Sequence, residues 1–108
     1  MKQQGEAKQG EKIIVQVDAE IEGLVPAFFE ARYEDIKSLL EALEQADYET
    51  IRDVGHTLKG AGGSYGFDAV TDIGSSLEQA AKEKRAEEIR RRVAELSTYL
   101  DSVEVAYE

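Results

Sequence analysis

The sequence predicts an all-α fold: an antiparallel up-down-up-down four-helix bundle with a short N-terminal extension. Three observations predict it. Apolar residues recur at three-four spacing in four separate stretches between Asp18 and Val103, the period that gives a helix one buried stripe. The connections between those stretches are very short, so successive helices must be antiparallel neighbours. Cysteine is absent and the chain has 108 residues, enough to bury one core without disulfides and too few for a second domain.

Each element follows in order. Residues 1–12 are rich in Lys, Gln, Glu and Gly, the composition of a disordered lead or linker remnant. The bundle is expected over residues 13–108. Ile13 to Val17 is β-branched but too short to build a sheet alone; an extended strip lying against the bundle is expected. Asp18 reads as an N-cap. Ile21, Val25, Phe28, Ile36, Leu39, Leu40 and Leu43 follow at helical spacing, interrupted early by Gly23 and Pro26. Proline is tolerated in a first turn, so the main helix should start near Val25 and run to about Ala46. Asp47 is the next N-cap candidate, and its helix turns Ile51, Val54, Gly55, Leu58 and Gly62 inward until the glycine-dense run from Gly60 to Gly66 ends it. A third helix starts near Asp68 with Val70, Ile73, Leu77, Ala80 and Ala81 inward, and Lys82 to Arg85 closes it. The fourth carries Ile89, Val93, Leu96, Leu100 and Val103.

Composition excludes several functions. The net charge is −10, which repels nucleic-acid backbones and anionic membranes, so neither is an expected partner. The charge is uneven: Asp18 to Ala46 holds two basic against eight acidic residues, whereas Asp47 to Gly66 holds two against three. That near-neutral window surrounds the single histidine and could be a docking face or a chance fluctuation. No cysteine excludes thiolate metal sites, and one histidine excludes a His-rich cluster, leaving only carboxylates as possible ligands. No apolar run approaches the roughly 20 residues that span a bilayer, and Met1 to Gly10 lacks the apolar stretch of a signal peptide. A cytoplasmic location is the default expectation.

The chemistry concentrates on the second helix. On a wheel of 100° per residue with Ile51 at 0°, the inward positions fall between about −60° and +40°, and His56 falls at about 140°. His56 should therefore be exposed. Gly60 and Gly63 fall at about 180° and about 120°, one and two turns beyond it, and Lys59 at about 80°. A glycine inside a helix costs roughly 1 kcal/mol relative to alanine. Gly55 and Gly62 face inward, where a missing side chain lets helices pack closely. Gly60 and Gly63 face outward and leave bare backbone beside an imidazole, where a partner could approach. An imidazole nitrogen is a good nucleophile near neutral pH, and phosphoryl transfer asks for in-line access and charge stabilisation, which Lys59 could supply. Taken alone, these residues also fit a surface histidine ahead of a frayed helix end.

The run His56-Thr57-Leu58-Lys59-Gly60, with Gly63 and Gly66 after it, resembles the signature of histidine-containing phosphotransfer domains. The Leu77-Glu78 pair also stands where that family usually has one. The similarity extends over roughly Asp18 to Val103, weakly outside the motif. It implies that His56 is the phosphoacceptor and Lys59 the electrostatic support. It also implies partner docking at the small residues Gly60 and Gly63, and Arg52 is expected to join them. Gly74 departs from the larger residue common in the third helix and is expected to loosen that helix pair.

The implied function is that of a phosphorelay intermediate in two-component signalling. His56 would take a phosphoryl group from a receiver-domain aspartate, or from a sensor or hybrid histidine kinase, and pass it to a response regulator. Such a domain is a stoichiometric carrier, not an enzyme. It needs no cofactor or metal of its own, because the Mg²⁺ used in transfer belongs to the receiver's acidic pocket. A kinase dimerisation helix would place an acidic residue after the histidine and a proline shortly below; here Thr57 follows, and Pro26 is the single proline. The rival reading is a phosphotransfer-inactive four-helix interaction module. A generic structural bundle leaves the outward glycines unexplained. No apolar stripe is left over on the fourth helix, so a monomer is expected.

Overall fold

The computed structural model describes residues 12–108, and the lead expected over 1–12 lies outside it except for Lys12. The described chain is a four-helix bundle fastened by a short sheet. Strand β1 (Ile13–Val17) comes first, then a 3₁₀ turn at Ala19–Leu24 and helices α1 (Val25–Glu44), α2 (Tyr48–Tyr65), α3 (Asp68–Lys82) and α4 (Ala86–Ser102). Strand β2 (Val103–Tyr107) ends it. The Asp18 carboxylate accepts the Glu20 N–H at 2.9 Å, and the Asp47 carboxylate accepts the Thr50 N–H at 3.2 Å and its hydroxyl at 2.7 Å. Both caps thus satisfy donors that the first helical turn leaves open. Pro26 sits in the first turn of α1, where its missing N–H costs no hydrogen bond.

One expectation about these elements needs correction. Val103 does not extend the fourth helix: α4 stops at Ser102 and the backbone turns extended. Ile13–Val17 is extended and lies against the bundle as expected, and it has a strand partner. It pairs in parallel with β2, Ile13 opposite Val103 and Val17 opposite Tyr107. Each strand supplies the backbone partner that the other lacks, and Val17 enters the core.

The three helix corners share one geometry. Ala46, Gly66 and Lys84 take left-handed backbone, with φ of 54°, 86° and 54°. After each, an N–H reaches back to a carbonyl five residues earlier: Asp47 to Ala42 at 2.8 Å, Phe67 to Gly62 at 2.8 Å, Arg85 to Ala80 at 2.9 Å. This closure satisfies carbonyls that the helix ends would leave open. The core fills with the expected stripes, including Leu39, Ile51, Leu58, Val70, Leu77, Ile89 and Leu96. Phe67 caps one end of it, stacked on Phe28 at 4.9 Å.

Gly74 does not loosen the α2–α3 pair; it permits the closest approach in the bundle. A Cβ at residue 74 would lie 2.5 Å from the Lys59 nitrogen, and one at Gly55 would lie 2.8 Å from the Glu78 nitrogen. A Cβ at Gly62 would lie 2.6 Å from the Thr71 nitrogen. Any larger side chain at these three positions would push the helices apart.

Candidate functional site

His56 stands on the solvent face of α2, its side chain 73% exposed. The backbone of Glu78 is seated against Gly55, so its carboxylate rises beside the histidine. The Glu78 Oε2 lies 3.3 Å from His56 Nδ1, and its Oε1 lies 3.8 Å from Lys59 Nζ. One half-buried carboxylate therefore faces both residues across the α2–α3 seam. The Thr71 hydroxyl donates to the Lys59 carbonyl at 2.9 Å and fixes the same seam further along.

The contact with Glu78 makes the two ring nitrogens unequal, Nδ1 beside the carboxylate and Nε2 away from it. A neutral imidazole carries its proton on one nitrogen and a lone pair on the other. The tautomer with its proton on Nδ1 places that proton on the carboxylate side and leaves the lone pair on Nε2. The ring is oriented, its outer nitrogen is accessible, and Lys59 lies one turn along on the flank.

The outward glycines lie as expected. Helix α2 continues through Gly60 and Gly63 to Tyr65, so they are interior helical positions and not a frayed end. A Cβ on Gly60 would have no heavy atom within 4 Å, and one on Gly63 would meet only the Thr71 hydroxyl at 3.6 Å. Both residues are exposed, and no side chain covers the helix there. Arg52 is exposed too, and lines a shallow depression with Asp53, His56, Thr57, Glu78 and Lys82. The structure thus brings His56, Lys59 and Arg52 to one side of the bundle, with Gly60 and Gly63 beyond.

Two residues of this surface were not singled out from the sequence. Glu78 was noted only through the family likeness, because on α3 it reads as one more polar residue beside the buried Leu77. The available signal was the pair of small residues, Gly55 and Gly74, that seats it. Lys82 read as a polar helix ending. A larger hollow lies at the start of α4, lined by Arg85, Ala86, Glu87, Glu88, Arg90 and Arg91. It holds no nucleophile, and its arginines are paired, Arg85 with Glu83 at 3.4 Å, Arg90 with Glu87 at 2.8 Å and Arg91 with Glu88. Among the described residues, no three His, Asp or Glu gather as metal ligands, and no helix is long and apolar enough to cross a membrane.

The family model of the Hpt domain matches residues 23–106, and the chain belongs to the Hpt domain family. Hpt domains serve histidine phosphotransfer in two-component signalling, act as phosphocarriers rather than enzymes, and interact with kinases and receiver domains. No curated protein and no solved structure gives a significant match. Strand β1 lies outside the matched residues.

Proposed function

We propose that His56 is the phosphoacceptor of a phosphorelay and that it reacts through Nε2. The observation that carries this reading is the Glu78 carboxylate at 3.3 Å from Nδ1, on a ring otherwise open to solvent. In the forward step the Nε2 lone pair attacks the phosphorus of a receiver's aspartyl phosphate. The P–N bond forms, the P–O bond to the aspartate breaks, and the aspartate leaves as a carboxylate. The imidazole keeps its Nδ1 proton and becomes a cation, and Glu78 is placed to stabilise that charge. Transfer to a response regulator is the same step in reverse.

Lys59 supports the step electrostatically. Its ammonium swings from Glu78 toward the phosphoryl oxygens, where negative charge spreads in the transition state. Gly60 and Gly63, with Arg52, form the landing surface for the receiver. The chain acts as a cytoplasmic monomer and supplies no metal, the Mg²⁺ being held by the partner receiver.

The test is incubation with a Mg²⁺-loaded phosphorylated receiver, or with phosphoramidate, followed by analysis of the label. The expected product is acid-labile and base-stable, and is absent from His56→Gln. An acid-stable label, or one that survives His56→Gln, would falsify the assignment. A chain that binds receivers but takes no phosphate from either donor would be an interaction module.

A further inference from the structure

Most lysines and arginines in the described chain are answered by an acid. Lys12 lies near Glu104, Arg32 near Asp35, Lys37 near Glu34, Lys59 near Glu78, and Arg85 near Glu83. The three arginines of α4 pair with Glu87, Glu88 and Glu95. That is the expected condition of a chain with 23 acidic and 13 basic residues. Among the described residues, Arg52, Lys82 and Lys84 alone have no described carboxylate within ion-pair distance. Two of those three, Arg52 and Lys82, line the depression that contains His56.

Their placement follows from the packing of α2 on α3. The helices run antiparallel, with Gly62 against Thr71, Gly74 against Lys59, and Gly55 against Glu78. Continued by one turn, this ladder brings Lys82 level with Arg52. The two cations stand on different helices at the same height, and Lys82 also lines a neighbouring depression with Lys59. The acids that share a depression with them are Asp53, Asp72 beside Lys82, and Glu78, which is already engaged by His56 and Lys59.

We propose that Lys82, with Arg52 across the seam, is a docking and specificity element that recognises the anionic face of the receiver domain. This rests on reading His56 as the phosphoacceptor. A partner that carries phosphate on an aspartate must present a phosphoryl dianion together with the carboxylates that hold its metal. Cations already neutralised within the carrier would add little to such an encounter, whereas unpaired ones steer it and set its register. Lys82 acts on the encounter and not on the reacting atoms. Its signature therefore lies in KM and in salt dependence.

The experiment uses the full chain and a panel of purified receiver domains charged with acetyl phosphate and Mg²⁺. The receiver that charges the wild type fastest is kept for the variants. Lys82→Glu should raise KM about tenfold or more, by analogy with charge reversal at steered interfaces, and change kcat by less than about twofold. Lys82→Arg should restore KM, and Arg52→Glu should reproduce the defect. Added salt should raise KM for the wild type and have a weaker effect on Lys82→Glu. Circular dichroism and labelling by phosphoramidate verify that each variant is folded with its imidazole reactive.

An unchanged KM in Lys82→Glu would overturn this proposal and leave the phosphoacceptor assignment standing. So would a fall in kcat at constant KM, which would place Lys82 on the phosphoryl group instead. If phosphoramidate labels His56 but no receiver in the panel does, the docking proposal falls together with the receiver reading. If neither donor labels His56, the phosphoacceptor assignment itself fails.

Discussion

Gly55 and Gly74 meet backbone to backbone: a methyl group on residue 74 would lie 2.7 Å from the Gly55 carbonyl oxygen. This contact holds α3 close enough for Glu78 to reach His56, so packing and site geometry depend on the same pair. Gly74→Ala must displace backbone, which cannot yield as a flexible side chain would. The expected loss of stability is about 1–3 kcal/mol, the usual range for overpacking. Urea unfolding measures it. Labelling by phosphoramidate should slow in parallel, because the Glu78 carboxylate retreats with α3. A variant as stable as the wild type would mean that the two helices part without cost.

The helix corners make a prediction of the opposite sign. Ala46 and Lys84 hold left-handed backbone with φ of 54°. A side chain there costs roughly 1–2 kcal/mol, part of which glycine returns as chain entropy in the unfolded state. Ala46→Gly and Lys84→Gly should each stabilise the fold by about 0.5–1 kcal/mol in denaturant titrations. Destabilisation by either substitution would show that the corner is held by the side chain and not by its backbone bond.

Two of the five tyrosines should resist alkali. Burial pushes the Tyr33 phenol up to about 12, with help from its hydrogen bond to Asp101 at 2.8 Å. Burial, reinforced by the charge of Asp68, raises Tyr99 to about 12 as well. The folded state thus favours the neutral phenols. Their contribution to stability is complete below pH 10, the ordinary value, and is lost as pH rises towards about 12. Ultraviolet titration should show two late phenols, and thermal stability should fall over the same window. Tyr33→Phe should remove one late phenol and soften the fall.

Much of the fold was legible because its determinants are local. Asp18 and Asp47 announce helix starts by their capping chemistry, and the core stripes follow from spacing. What escaped depends on distant partners or on exceptions to local rules. Val103 continues a helical stripe in the sequence, but β1, some 90 residues earlier in register, draws it into a strand. Ala46 and Lys84 carry no glycine to mark their corners. At the site, the exposure of His56, Lys59, Gly60 and Gly63 could be read from a wheel of α2 alone. The Glu78 contact and the level placement of Lys82 could not, because they depend on how α3 lies against α2. Gly74 was misread for the same reason: a missing side chain means looseness or intimacy according to what stands opposite.

The bare stretch beyond His56 supplies the last prediction. Gly60 and Gly63 are helical, exposed and open to a side chain, with at most the Thr71 hydroxyl at 3.6 Å from a new Cβ. Glutamine is a better helix former than glycine by several tenths of a kcal/mol, so Gly60→Gln and Gly63→Gln should fold at least as stably as the wild type. Yet each new side chain would stand where a receiver must come within bonding reach of Nε2. Transfer from a phosphorylated receiver should fall about tenfold or more, equivalent to at least about 1.4 kcal/mol of barrier. Phosphoramidate needs no docking surface and should still label His56. This split separates exclusion of a protein partner from damage to the nucleophile. Unfolding of both variants would mean that the glycines serve packing. Wild-type transfer by both would mean that the receiver lands elsewhere on the bundle.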